Sequence, residues 1–397
     1  MKKNKKNISK RKSTESRIQP ESHAAKIKVV GVGGGGGNAI SRMAETIGVR
    51  GIEFIAVNTD SQDLDYCNVK KKIYIGKSLT RGLGTGMNPD IGRQAAEETR
   101  SEIAESLKGA DLIFLTIGLG GGTGSGAGPV VAEAARESGA LTVAVVTKPF
   151  AFEGSQRARI ANEALAKLKE KVDTLIVIPN DRIFSIIRKD TPLMKAFEYI
   201  DDVLRSAVQG ISELIALPGI VNVDFADVRE IMKDAGQALV GIGFGTGNDR
   251  AINAVNQVIN SPLLEISVEG ARGVLFGVAG SRDLRMTEIN EIAKVISASV
   301  DPSAKVIFGA YHDRKLKAGQ LKVTLIATGF NGQIIRSHEP SPSISLFTDS
   351  VKREMPSVQQ KNDEEKFVKE DIDKKAKDKE KKDEDIWEIP TFLRKKK

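Results

Sequence analysis

ADLIFLTIGLGGGTGSGAGPVV, residues 110–131, decides the fold. After Asp111 the first part is apolar but for Thr116, as expected of a strand covered on both faces. GLGGGTGSGAG (118–128) then has seven glycines in eleven residues, an odd way to end a buried strand. Glycine lets the backbone approach a ligand closely and reach positive φ, so successive N–H groups can converge on an anion. PVVAEAARES (129–138) has helical spacing, and a helix N-terminus adds unpaired donors and a positive partial charge. Proline is tolerated in a first turn, so Pro129 and Val130 are expected to open that helix. Strand, glycines and helix in this order predict a cradle for a di- or triphosphate, with Thr123 and Ser125 adding small hydroxyls. A flexible linker is also glycine-rich, but a linker does not sit between a buried strand and an amphipathic helix.

Working outward, the same alternation recurs. KIKVVGV (26–32), IEFIAVN (52–58), LTVAVVT (141–147) and TLIVIP (174–179) read as strands. NAISRMAETI (38–47), DIGRQAAEETRSEIAESL (90–107) and RIANEALAKLKEK (159–171) read as helices. Such alternation predicts an α/β fold with a doubly wound parallel sheet, which binds ligands beyond the carboxyl ends of its strands. AFEYIDDVLRSAVQGISELIAL (196–217) predicts a long central helix, stopped by Pro218 and Gly219. A second block follows: QALVGIGFG (237–245), AINAVNQVI (251–259), GVLFGVAG (273–280), TEINEIAKVISASV (287–300), KVIFGAY (305–311) and LKVTLIATGF (321–330). It predicts a second, smaller α/β domain with one four-stranded sheet.

The expected organisation is a disordered basic extension over 1–25, a nucleotide-binding domain over 26–195, the central helix over 196–217 and a C-terminal domain over 218–330. A disordered charged linker over 331–385 and a docking peptide over 386–397 complete it. Of the 25 residues in 361–385, 20 are charged, too many to bury a core that offsets ordering entropy. In IWEIPTFLRKKK, apolar Ile386, Trp387, Ile389, Phe392 and Leu393 reappear at the end of that tether, as in a short docking segment.

The chain has 397 residues and a formal charge of +8. Residues 1–17 contribute +7 and Arg394–Lys397 +4, so the remainder carries −3. The folded part is mildly acidic, which argues against a nucleic-acid groove on it. No apolar run approaches the ~18 residues of a membrane span, so no direct membrane insertion is expected. Lysines at the start precede no apolar core, unlike a secretory signal. One cysteine, Cys67, and three scattered histidines (His23, His312, His338) argue for a reducing cytoplasm and against a zinc site.

GVGGGGGNAI (31–40), after the first strand, forms a second glycine cluster. Gly31, Gly33 and Gly36 match G-x-G-x-x-G, a weak signal for a dinucleotide enzyme with Asp60 on a ribose. No Lys-Ser/Thr pair follows, so it is not a P-loop. Two cradles on separate strand-to-helix turns fit a polyphosphate better than a pyrophosphate bridge. Asn58 and Asp60 lie where a ribose or metal contact, or merely a turn, arises. TRGLGTGMNPDIG (80–92) is a third glycine-rich loop, placed to close over a terminal phosphate. Glu153 and Arg157, four apart on an expected helix start, read as an i,i+4 ion pair. Phe197 and Asp201 open the central helix. Asp224 reads as a helix cap with Asp227 in the first turn.

Together these stretches resemble the tubulin/FtsZ family. GGGTGSG (120–126) is similar to its signature loop. KVVGVGGGGGNA (28–39), GLGTGMNPDIGR (82–93), KPFAFEG (148–154), IPND (178–181) and NVDFADV (222–228) resemble its further motifs in order, and EIPTFLR (388–394) resembles its C-terminal docking peptide. Thr85 and Met87 stand where the family often has smaller residues.

The resemblance implies a GTPase that polymerises head to tail into the bacterial division ring, on the cytoplasmic face of the membrane at midcell. It puts GTP or GDP phosphates on Gly34, Gly35, Gly36, Gly37 and Asn38, and on Gly120, Gly121, Gly122, Thr123 and Gly124. Asn58, Gly86 and Asn88 also belong to the implied nucleotide set. Glu153 is placed on the ribose, Arg157 near the phosphates and Asn180 at the sugar or base. Phe197 is implied to stack on the purine. Asp201 is implied to accept guanine N1–H and the exocyclic amine. Asn222, Asp224 and Asp227 are implied to serve the next subunit's nucleotide, where they polarise water and help to place a cation. Mg²⁺ fits there because a triphosphate supplies hard oxygens. Trp387–Arg394 is implied to recruit a membrane anchor and division regulators such as FtsA.

Overall fold

The computed structural model describes residues 25–330, apart from Gly48, Arg50 and 263–266. The expectations for 1–24 and 331–397 lie outside the described residues. Strand β1 (Ile27–Val32) runs into α1 (Gly33–Thr46), and β2 (Ile52–Asn58) into α2 (Ser61–Tyr66). β3 (Lys71–Tyr74) is followed by α3 (Lys77–Thr80), α4 (Pro89–Glu98) and α5 (Arg100–Leu107). β4 (Leu112–Gly118) leads to α6 (Gly122–Glu137), β5 (Leu141–Lys148) to α7 (Ser155–Lys171), and β6 (Thr174–Pro179) to the long α8 (Leu193–Ala216). Then come α9 (Phe225–Met232), β7 (Gly236–Thr246), α10 (Arg250–Ile259), β8 (Gly273–Gly280), α11 (Met286–Ser299), β9 (Lys305–His312) and β10 (Gln320–Thr328).

The strands hydrogen-bond in the order β3-β2-β1-β4-β5-β6-β7-β10-β8-β9. β10 alone among them runs antiparallel to its neighbours. The four strands β7-β10-β8-β9 form the expected second sheet. β7 also pairs with β6 over Thr174–Ile176 and Gly236–Ala238, so the second sheet continues the first. The β1 strand lies between β2 and β4, and the order reverses there. In an open α/β sheet such a switch point leaves a crevice at the carboxyl ends.

β4 and β5 are buried along nearly their whole length, as continuous apolar runs require. One core face is filled by Ala39, Ile40 and Met43 of α1 and by Leu204, Val208, Ile211 and Leu214 of α8. The other is filled by α4, α5, α6 and α7, with Ala96, Ile103, Val131 and Leu168. α10 and α11 cover one face of the second sheet through Val255, Val258, Ile292 and Ile296.

Three expectations need correction. The helix after the signature glycines opens at Gly122, not Pro129, and Pro129 lies inside it. Gly126 shows why glycine is needed inside this helix. A Cβ there would fall 2.0 Å from the Pro89 carbonyl oxygen, so only glycine lets α6 pack so closely on α4. The first helix likewise begins at Gly33 rather than Asn38. The helix expected over 90–107 breaks at Thr99, whose hydroxyl donates back to the Ala95 carbonyl at 3.2 Å and whose φ and ψ are −110° and 13°. β3 escaped the sequence reading because KKIY is a short edge strand with only one buried side chain, Ile73.

Candidate functional site

Two helix N-termini meet at the switch point. α1 starts at Gly33, with φ of +72°, and a Cβ there would lie 2.9 Å from the Gly124 backbone nitrogen in the first turn of α6. A helix leaves the N–H groups of its first turn without intrahelical partners. Here these belong to Gly33–Gly35 and to Gly122–Gly124. Among the described residues no side chain caps either end, at Val32 or at Gly121. Both sets of donors, and both positive helix ends, are therefore free for one anion.

The other glycines divide between packing and ligand access. Gly36 faces the sheet, since its Cβ would come within 2.3 Å of the Thr116 carbonyl oxygen. Gly34 and Gly37 are half-buried, and Gly35 and Asn38 are exposed beyond the strand end. Gly120 has φ of +99°, and its N–H donates to Ser125 Oγ at 2.9 Å. Gly121 has open space around its Cβ position. The third loop packs on the start of α6: Thr85 Oγ1 would lie 2.2 Å from a Cβ on Gly122. Thr123 Oγ1 sits 2.7 Å from Thr59 Oγ1 and 3.4 Å from Thr85 Oγ1. Gly86 is exposed in the left-handed region, and Met87 shares that conformation at φ of +65°. Asn88 caps α4 by accepting from Asp90 N–H at 2.9 Å.

Asn58 and Asp60 are engaged in the turn. Asn58 Oδ1 accepts from Thr59 N–H at 2.8 Å, and Asp60 Oδ1 accepts from Gln62 and Asp63 N–H at 3.0 and 3.1 Å. Asp60 thus caps α2 through one carboxylate oxygen, as the turn reading expects. The sequence reading missed Asp63, which looks like an ordinary first-turn carboxylate. Asp63 Oδ2 receives Asn58 Nδ2–H at 2.7 Å and lies 2.9 Å from where a Gly34 Cβ would be, beside the cradle. Burial, and then the Asp60 charge, push its carboxyl up, against the Asn58 hydrogen bond.

The residues expected at a sugar and base come from three elements. Glu153 closes a short turn: Oε1 accepts from Phe150 N–H at 2.9 Å and Oε2 from Arg157 Nη1 at 2.7 Å. The ion-pair reading of Glu153 and Arg157 therefore holds in this structure. Arg157 also borders the second cradle, its carbonyl oxygen 3.2 Å from a Cβ position on Gly120. Asn180, at the end of β6, is buried, and its Oδ1 finds no partner among the described residues. A buried acceptor left open is costly unless a ligand satisfies it. Phe197 is 40% exposed and meets buried Phe150 edge-on at 5.7 Å. One turn on, Asp201 pairs with Arg42 of α1 at 3.4 Å. Nothing in the sequence pointed to Arg42, which is 159 positions away from Asp201 in a different element.

Asn222, Asp224 and Asp227 are elsewhere. From Asp201 to Ala216 the central helix alone rises about 22 Å, and these residues follow its far end. Asn222 Oδ1 accepts from Gly219 N–H at 2.6 Å. Asp224 occupies the cap position of α9 as expected, but among the described residues its side chain makes no cap bond. Asp227 lies in the first turn. At the other end of α9, Arg229 Nη2 donates to Gly139 O at 3.1 Å and Met232 O accepts from Thr174 Oγ1, at the amino ends of β5 and β6. One chain therefore holds the cradles and the acids apart.

Residues 26–188 match the tubulin/FtsZ family GTPase domain, and residues 236–331 match the FtsZ family C-terminal domain. An empty FtsZ dimer of M. jannaschii is 47% identical, with 77% of this chain and 89% of that one covered and a TM-score of 0.73. CetZ2 from Haloferax volcanii, a GTPγS-bound protofilament, shares the fold at 22% identity and a TM-score of 0.66, with 76% of this chain and 92% of that one covered.

Proposed function

We propose, on the premise that this chain belongs to the FtsZ family of tubulin-like GTPases, that it binds GTP in one subunit and hydrolyses it with acids from the next. One observation carries this reading: Asp224, whose side chain makes no cap bond among the described residues, and Asp227 lie at the opposite end of α8 from the cradles. A solitary chain cannot bring them to its own nucleotide. A head-to-tail copy can, and such heterologous contacts, when they do not close, build filaments.

The phosphates would rest on the first-turn N–H groups of α1 and α6, where each N–H to a charged oxygen is worth about 1.5–3 kcal/mol before losses elsewhere. Phe197 would lie on the purine, Asn180 Oδ1 would gain a donor, and Asp201 would accept from guanine. Glu153 would hold the ribose, with Arg157 near the phosphates. Mg²⁺ would take hard oxygens from the triphosphate, and the Asp63 carboxylate lies beside the first cradle. In the neighbour, Asp224 and Asp227 would polarise the attacking water, with Asn222 beside them.

Assembly-dependent hydrolysis would couple nucleotide state to filament turnover, as a division-ring protein at midcell needs. The C-terminal Trp387–Arg394 segment would recruit a membrane anchor and regulators such as FtsA, gaining avidity from many copies along one filament. The test is GTP turnover per molecule against protein concentration. A steep onset above a threshold is expected; a flat line down to high dilution overturns the reading.

A further inference from the structure

The far end of α8 is held by buried polar side chains that nucleotide binding does not use. Glu213, 6% exposed, accepts through Oε2 from Tyr311 Oη at 2.9 Å and from Lys322 Nζ at 2.7 Å. Its Oε1 accepts from Gln209 Nε2 at 2.5 Å. Tyr311 is on β9 and Lys322 on β10, and Asp313 Oδ2 lies 3.6 Å from Lys322 Nζ. Beside Glu213, Leu214 is seated over Gly277 and Gly309, whose Cβ positions would fall 2.4 and 3.2 Å from its Cδ2. One turn earlier, Gly210 brings the helix against Thr324 of β10. Shape and charge together set one register of α8 on the second sheet.

The loop that follows hangs from the same place. Leu217 N–H donates to Glu213 O at 3.0 Å and closes the helix. Ile220 and Val221 N–H both donate to Ala310 O, at 2.7 and 3.1 Å, and Ala310 N–H returns to Val221 O at 3.0 Å. Ala310 directly precedes Tyr311. The segment bearing Asn222, Asp224 and Asp227 is thus suspended between β9 and the turn that Glu213 ties to β9 and β10.

Burying a carboxylate and an ammonium costs desolvation, and apolar side chains of similar volume hold two elements together at least as well. A fully bonded polar cluster adds a single geometry. We propose that Glu213, with Lys322 and Tyr311, is a positioning cluster: it sets the last turn of α8, and through it the height and direction at which Asn222, Asp224 and Asp227 meet the neighbouring subunit's nucleotide. This rests on the in-trans reading above. The cluster does not touch the nucleotide and acts only through the loop.

Glu213→Gln and Tyr311→Phe in the full chain test it. Three quantities are read: GTP affinity below the assembly threshold, KM, and kcat per assembled subunit. Affinity and KM should stay within about twofold, while kcat per assembled subunit falls about tenfold for Glu213→Gln and less for Tyr311→Phe, because small misplacements of catalytic groups are costly. Combining Glu213→Gln with Asp227→Ala should cost less than the product of the two losses, since both act through one loop. A merely structural cluster would lower Tm and the assembling fraction but leave kcat per assembled subunit unchanged, and that result overturns the proposal. So does a loss in KM with kcat intact. If Glu213→Gln does not fold, Tyr311→Phe carries the test, since it deletes one hydroxyl and leaves no charge unpaired. A parent chain with no concentration threshold sinks the in-trans reading and the cluster's role with it. A threshold in the parent with unaltered kcat in the variants sinks the cluster alone.

Discussion

Asp201 of α8 and Arg42 of α1 form an ion pair, with Nη1 and Oδ2 3.4 Å apart, at the base site proposed above. Burial pushes the Asp201 carboxyl up from its ordinary 3.8 to about 6, even against the Arg42 charge, and the Asp202 and Glu198 charges add to the rise.

A folded-state pKa raised in this way favours the neutral acid. The free protein keeps the resulting stability below about pH 3.8 and loses it as pH rises through about 6. Guanine needs the opposite state, because only an ionised carboxylate accepts both of its N–H donors. GDP affinity should therefore rise about tenfold between pH 5 and pH 7 and then level off. Titration calorimetry across that window checks it. Asp201→Asn should flatten the pH profile and reduce the preference for GTP over ATP. A wild-type profile that is already flat would remove Asp201 from the base site.

Asp227→Ala removes a half-buried carboxylate from the first turn of α9 without touching either cradle. GTP should bind as in the parent chain, and turnover in assembled material should fall by about two orders of magnitude or more. Fluorescent-nucleotide binding and phosphate release measure the two effects separately. Lost binding with normal turnover of the bound fraction would refute the role.

Gly126→Ala and Gly121→Ala make a contrasting pair. At Gly126 the new methyl meets two backbone groups of α4, the Pro89 carbonyl with its oxygen at 2.0 Å and carbon at 2.8 Å, and the Arg93 nitrogen at 2.8 Å. Overpacking of this kind costs about 1–3 kcal/mol, so Tm should drop by several degrees. Gly121 has nothing within 4 Å of its Cβ position and φ of −91°. Its substitution should leave the Tm of the nucleotide-free protein within about 1 °C while weakening GTP binding, because the added carbon enters the cradle. Thermal melts with and without nucleotide decide both.

The alternation of strands and helices, the long α8, the two glycine clusters and the order of the motifs are all written in the residue order. Each is local, since burial on both faces of β4 calls for a run that is apolar but for Thr116 and the 3.6-residue period marks α8 as amphipathic. What required the tertiary structure was every relation between distant segments. Gly124 and Gly126 have to be glycine inside α6 because β4 and α4 press on it, and no sequence window contains that contact. Asp60 caps α2, whereas Asp63 reaches the cradle, because α2 folds back over Gly34. Arg42 finds Asp201, and Glu213 finds Tyr311 and Lys322, only when α8 is laid across both sheets. The separation of the acids from the cradles is set by that same helix, whose length the sequence shows but whose two anchorages come from packing.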